Sequence, residues 1–398
     1  MNLIIVGAGG HAQSWRKNIE RHENWDIVGI VDTDTEKLDH ASDLWNVDED
    51  MVFTTISEAI RWGTYDIDVA LITTPTPTHH LLATEALESG LNVILEKNMA
   101  STIEQGQELT KLAQSHPELC TAMGHQYRYR PNWWTLRQLL TSKECPIGKL
   151  SHIRGKIASY SGDARHGWRS WLRDIFAEDM MVHHIDCLRF CTNMEIIQIQ
   201  AQVFRPKWSS WLASSTVFAN LVLAPHGSEC IKEDWVYCQY YGDWQTKGLL
   251  NDWEIDFRFY GSDGSLRLEP PTDKTNMLWE EADGYQLIGE QSGAKLKSYL
   301  DIKGKYASDS QIEIREIPKN SNIENRGSGY IDQAYILEQM YQGIKSKGKK
   351  QPTGNFEDSF KSFIVTRGAI LSSRSGKSIW LPQYWLEPVD EPSNLKIV

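Results

Sequence analysis

The stretch Leu3-Ile4-Ile5-Val6-Gly7-Ala8-Gly9-Gly10-His11-Ala12 decides the fold of this chain. Four apolar residues in succession read as a strand buried on both faces, as a central strand of a parallel sheet must be. Glycine at 7 permits a sharp exit from that strand. Glycine at 9 leaves the backbone bare, so that a pyrophosphate can approach it. Ala12 is small enough for the next helix to pack close to the strand. The start of that helix offers unpaired N–H groups and the positive end of its dipole to an anion. A second apolar run, Ile27 to Val31, stops at Asp32. An acid about twenty residues past the glycines is placed to accept hydrogen bonds from ribose hydroxyls. Strand, glycine turn, helix, strand and acid, in that order, predict a dinucleotide site formed by Gly7, Gly9, Gly10, His11, Ala12 and Asp32. Asp32 repels a 2′-phosphate, and Thr33 to Thr35 bring no Arg or Lys, so NAD is expected rather than NADP.

Working outward, strand and helix alternate to residue 123. Strands are expected at 2–6, 27–31, 51–54, 68–72, 91–95 and 119–123, and helices near 11–22, 34–43, 56–62, 78–89 and 102–115. Such alternation means a doubly wound parallel sheet with helices on both faces. Active groups of such sheets gather at the carboxyl ends of the strands. After the fourth strand come Thr74, Pro75 and His79, in a loop that its prolines hold extended. This loop is expected to wall the nicotinamide. After the fifth come Glu96, Lys97 and Asn98. Folding needs no such charges there, so Glu96 is assigned to the nicotinamide ribose and Lys97 to the cofactor and the reacting hydroxyl, as a proton carrier. After the sixth, Gly124 to Pro131 form the domain junction beside the cofactor cleft, which makes Gln126 a cofactor residue and Arg128 a substrate residue. The expected domains are 1–123 and 124–398.

Composition narrows the function classes. The chain has 398 residues, more than one core readily serves. It carries a net charge of −12, which opposes binding to nucleic acid. No apolar run approaches the ~20 residues that span a bilayer, and no basic leader precedes the first strand. Six scattered cysteines without metal-site spacing suit reduced thiols in the cytoplasm, and no metal is expected.

In the second half, a helix is expected over 131–145 and a strand over 149–160. The loop 161–171 holds Arg165, Trp168, Arg169 and Trp171, groups suited to sugar faces, hydroxyls or carboxylates. Asp179 and His183 lie four apart on an expected helix, 178–191, and so on one face of it. His183 is then a general base that Asp179 orients, and His184 points about 100° away, toward substrate. Strands expected at 194–205, 213–224, 233–241, 253–260 and 265–269 lack intervening helices and so pair mostly antiparallel. Outward aromatics are expected at Trp235, Tyr237, Tyr241 and Trp253. Helices near 330–346 and 356–374 close the chain before a last short strand at 379–382.

Five stretches together resemble the Gfo/Idh/MocA oxidoreductases: Gly7 to Ala12, Thr74 to His79, Glu96-Lys97, Arg128 to Pro131, and Asp179 to Asp186. The resemblance implies a Rossmann domain followed by an α/β domain with a large, mostly antiparallel open sheet. It implies hydride transfer between NAD and a secondary hydroxyl of a sugar, sugar acid or cyclitol, with Lys97, Asp179 and His183 catalytic. It also implies a homodimer or homotetramer assembled through the second sheet. A relative of this kind can instead oxidise its substrate transiently, as a glycosidase or lyase, or bind NAD or sugar as a sensor. Two departures stand out: Asn98 replaces the family's proline, and Ile175 to Glu178 replace its glycine pair.

Overall fold

The computed structural model describes residues 1–160, 167–246, 256–269, 286–290, 310–312 and 331–391. They form two compact units, Met1–Tyr129 with Pro318–Phe363, and Arg130–Ile317 with Ile364–Val398.

The first unit is built on six parallel strands: β1 (Asn2–Val6), β2 (Asp26–Val31), β3 (Val52–Phe53), β4 (Val69–Ile72), β5 (Asn92–Leu95) and β6 (Thr121–Met123). Their order is β3-β2-β1-β4-β5-β6. Leu3, Ile4, Ile5 and the whole of β4 are fully buried. Each buried Leu, Ile or Val side chain among them contributes about 1.5–3 kcal/mol on leaving water. The strand order reverses between β1 and β4, and ligands bind at the carboxyl end of such a switch point. Helices α1 (Ala12–Ile19), α2 (Thr35–Trp45), α3 (Ile56–Trp62), α4 (His79–Glu88) and α5 (Ile103–Ser115) connect the strands. Asp34, Thr55 and Thr102 cap α2, α3 and α5 by accepting the N–H three residues on.

The second unit holds α6 (Pro131–Leu140), β7 (Leu150–Ala158), α7 (Met181–Thr192), β8 (Met194–Phe204), β9 (Thr216–Pro225), β10 (Val236–Asp243), β11 (Asp256–Gly261), β12 (Ser265–Glu269), β13 (Gln286–Glu290) and β14 (Ser310–Ile312). With β15 (Ile379–Trp380) these strands form one sheet in the order β14-β13-β12-β11-β7-β10-β9-β8-β15. Every neighbouring pair is antiparallel except β7 with β10, which a long connection rather than a hairpin joins. One face is apolar, with Ile153, Ile157, Leu221, Val236, Phe257 and Phe259 buried. Helix α7 lies on that face and has every residue buried. The opposite face carries an in-register row, Arg258, Arg154, Gln239, Asn220 and Gln200, beside the stacked rings of Phe204, Phe218 and Tyr241. Trp235 departs from expectation. It is 7% exposed and donates to the Glu229 carbonyl at 3.0 Å, because it precedes β10 and escapes the strand's alternation. Tyr237 is 54% exposed, and Trp253 lies outside the described residues.

Chain from far along the sequence completes the first unit. Helix α8 (Ile331–Lys345) meets α1 through Asn18–Gln333 at 3.0 Å and the segment after α1 through the buried pair His22–Glu338 at 3.1 Å. The Met123 N–H on β6 donates to the Gly354 carbonyl at 2.8 Å. This unit therefore gathers more chain than the expected 1–123. Helix α9 (Phe356–Ser375) begins in the first unit and ends in the second. There its Ser372 and Ser373 hydroxyls accept the Ala201 and Val203 N–H groups at 2.9 Å, satisfying donors of β8 beyond its pairing with β15. No helix among the described residues is long and apolar enough to cross a membrane.

Candidate active site

In the first unit the glycines divide by purpose. Gly7 has φ +101°, and a Cβ there would lie 2.9 Å from Thr74. The chain itself demands this glycine. At Gly9 and Gly10 a Cβ would meet nothing within 4 Å. No described residue explains those two by crowding, and the open space above them at the start of α1 leaves the backbone accessible to a pyrophosphate. Ala12 is fully buried against the sheet. Asp32 Oδ2 accepts the Ala8 N–H at 2.8 Å and Oδ1 the Asp34 N–H at 3.0 Å. The carboxylate is thus fixed at the end of β2, with acceptor capacity left for ribose hydroxyls.

Glu96 departs from expectation. Its Oε1 accepts from Trp15 Nε1 at 2.7 Å and pairs with His11 Nε2 at 2.8 Å. Burial alone would push its carboxyl pKa up. The His11 charge and hydrogen bond, the Trp15 N–H and the Lys97 charge outweigh burial and draw it down to about 2. A Cβ on Gly124 would stand 2.7 Å from the same oxygen. Glu96 is therefore an internal anchor between β5 and α1 rather than an open ribose ligand, and the His11 ring is committed to it. The signal for this lay in α1, where His11 and Trp15 are four apart and reach the same carboxylate.

His79 also becomes scaffold. It is fully buried, with ring nitrogens 2.7 Å from the Thr74 carbonyl and 2.6 Å from the Asn98 carbonyl. Burial lowers its pKa, and the two carbonyls oppose that shift. The ring clasps the loop after β4 to the turn after β5, while Thr74 and Pro75 stay half-buried. Lys97 is half-buried within a stretch, 91–100, whose other residues are buried. The Lys97–Asn98 peptide is cis. Gln126 Oε1 and Asn98 Oδ1 are buried acceptors with no hydrogen-bond partner among the described residues. Native interiors rarely leave such atoms unpaired, and a bound carboxamide would supply a donor. Arg128, expected at the substrate, is 3% exposed and bonds to the Thr353 carbonyl at 3.0 Å and to Asp358 at 2.5 Å. It ties the 353–358 segment to the first unit.

In the second unit Asp179 lies in a π-helical turn, Phe176–Met180, ahead of α7, where a regular helix was expected. Tertiary contacts hold this turn. Phe176 fills the space over Gly242, and its N–H donates to the Ser214 carbonyl. Glu178 accepts the Arg173 and Asp174 N–H groups and pairs with Arg367 at 2.9 Å. Asp179 Oδ2 accepts from Arg169 Nε at 2.8 Å, and Asp179 and His183 are 4% and 6% exposed. The Arg169 guanidinium lies over the Trp168 ring, 4.9 Å from its centroid. His184, expected at the substrate, is 1% exposed and bonded to the Tyr240 hydroxyl at 2.8 Å, so it serves the helix–sheet contact. Arg165 lies outside the described residues. Among the described residues no group of His, Cys, Asp and Glu side chains is placed to hold a metal ion.

Residues 1–124 match the family model described as "Oxidoreductase family, NAD-binding Rossmann fold", of the Gfo/Idh/MocA group. Over these 124 residues the chain is similar to the Gfo/Idh/MocA oxidoreductases. It is 25% identical over 272 residues to inositol 2-dehydrogenase 3 of Saccharopolyspora erythraea, covering 67% of this chain and 72% of that protein. Its fold is like that of an Agrobacterium radiobacter oxidoreductase solved with NAD+, L-tartaric acid and magnesium, with TM-score 0.74, 15% identity and 96% and 98% of the two chains covered. It is also like myo-inositol 2-dehydrogenase from Lactobacillus plantarum, with TM-score 0.68, 18% identity and 96% and 99% covered. The match describes residues 1–124 as an NAD-binding Rossmann fold of an oxidoreductase family. Reasoning from residue order missed the Trp15 and Gly124 settings of Glu96 and the Arg169 bond to Asp179.

Proposed function

We propose that this protein is an NAD-dependent dehydrogenase acting on a secondary hydroxyl of a polyol, sugar, sugar acid or cyclitol. The observation that carries the reading is the glycine turn, where no described residue crowds Gly9 or Gly10 and Asp32 stands at the end of β2. Asp32 favours NAD over NADP. When bound, NAD supplies the hydride acceptor. Gln126, Thr74, Pro75 and Lys97 line its site in this reading. Departure of hydride from a carbinol requires loss of the hydroxyl proton. Lys97 and His183 handle that proton, and Asp179 holds the imidazole in register. Trp168 and Arg169 contact the substrate. The relatives named above, inositol dehydrogenases among them, support a polyhydroxylated substrate. We further infer a cytoplasmic homodimer or homotetramer formed through the second sheet, whose open face carries Phe204 and Phe218.

The test is a panel of polyols, sugars, sugar acids and cyclitols with NAD+ and with NADP+, read at the NADH absorbance. NADH accumulates with one class and with NAD+ as the better cofactor. In Lys97→Ala turnover falls about 10³-fold while NAD+ still binds. Product formation without net NADH points instead to transient oxidation, binding without turnover points to a sensor, and clear NADP+ preference refutes the use made of Asp32.

A further inference from the structure

We propose that Arg169 makes this a hydroxy-acid site, gripping the substrate carboxylate with the guanidinium edge that Asp179 leaves free. The inference rests on the dehydrogenase reading and narrows its substrate class. Arg169 sits in the short helical turn Trp168–Trp171. Its Nε donates to Asp179 Oδ2 at 2.8 Å, and among the described residues it has no other hydrogen-bond or ion-pair partner. A guanidinium has five N–H donors. One is used here, and the two Nη groups remain on a side chain 44% exposed beside a carboxylate 5% exposed. Those two nitrogens form the planar end-on fork that matches a carboxylate bidentately.

Two further features favour an anion. The guanidinium rests on the Trp168 ring, which limits its rotation and the entropy lost on gripping a ligand. The other acids of this turn already have cations: Glu178 pairs with Arg367 at 2.9 Å and Asp174 with Arg374 at 2.8 Å. Three guanidinium groups thus answer three carboxylates, so neither of the other two acids is left to claim the remaining edge of Arg169. An ammonium at 169 would hold Asp179 but lack the second fork.

The experiment compares matched pairs, an aldonate and the alditol of the same chain length, with the corresponding sugar phosphate as a third arm. Wild type, Arg169→Gln and Arg169→Lys are assayed with NAD+. Wild type favours the aldonate in kcat/KM by about tenfold or more, as expected for a bidentate charge-assisted contact. Arg169→Gln raises the aldonate KM about tenfold more than it raises the alditol KM, and Arg169→Lys falls between. Equal use of alditol and aldonate overturns the proposal, as does preference for the phosphate. So does an Arg169→Gln variant that lowers kcat alike for both substrates at unchanged KM, because Arg169 would then only steady Asp179. If no substrate reduces NAD+, the dehydrogenase reading falls. Calorimetric titration of aldonate into the NAD+-loaded protein still decides the carboxylate grip, which requires binding in wild type and its loss in Arg169→Gln.

Discussion

The glycine turn of the first unit and the acid–histidine turn of the second are both short and polar, yet they are built in different ways. At Gly7 to Ala12 the backbone sets the structure: a positive φ at Gly7, a small buried residue at 12, and Asp32 returning to the Ala8 N–H. At Phe176 to His183 distant residues set it, with Gly242, Ser214, Arg367 and Arg169 each holding one point of a widened helical turn. A site fixed by its own backbone can be read along the chain. A site fixed by distant partners shows only its chemistry there, and its shape arrives with the fold.

Three measurements press on this contrast. The largest effect is expected in the second region. His183→Ala lowers kcat by about 10³-fold, with NAD+ affinity unchanged by calorimetry, because a general base is lost and the nucleotide turn is not touched. Parallel loss of NAD+ binding would mean that the two regions do not divide the work as described.

The next effect lies at Glu96, a part of the first unit that distant contacts fix. Its folded pKa of about 2 lies below the ordinary 4.5, so the His11–Glu96–Trp15 contact adds stability fully above about pH 4.5. That stability is lost as pH falls through about 2, and it amounts to roughly 3 kcal/mol. Melting temperature measured against pH therefore falls more steeply between pH 5 and pH 2 for wild type than for Glu96→Gln, to within about one pH unit. Equal slopes would remove the anchor role.

The smallest effect concerns the backbone itself. Gly7→Ala costs about 2 kcal/mol by urea unfolding, from a left-handed φ and a Cβ 2.9 Å from Thr74. A silent Gly7→Ala would show that the turn is not set by the chain.

The same contrast explains how much could be read in advance. The run of buried strands, the switch point and the order of motifs follow from local periodicity, and β1, β4, β5 and α3 lie within a residue of where they are expected. Glu96, His79, Arg128 and His184 were recognised as unusual polar residues at the right places, but their partners come from elsewhere in the fold: Trp15, Asn98, Asp358 and Tyr240. Each was therefore expected at a ligand and is found holding the scaffold. Asp32 and Lys97 follow directly on β2 and β5, so their places at strand ends are legible from the strand pattern alone. The inclusion of α8 in the first unit had no local signal, because Gln333 and Glu338 meet Asn18 and His22 across more than 300 residues of chain.

The central claim is that the room above Gly9 belongs to a dinucleotide and not to the protein. Calorimetric titration of NAD+ into wild type and Gly9→Val, with melting temperatures of both, tests it most directly. The account predicts micromolar binding in wild type, roughly −8 kcal/mol, and no detectable binding in Gly9→Val at an unchanged melting temperature. Equal NAD+ affinity in the two proteins would contradict it.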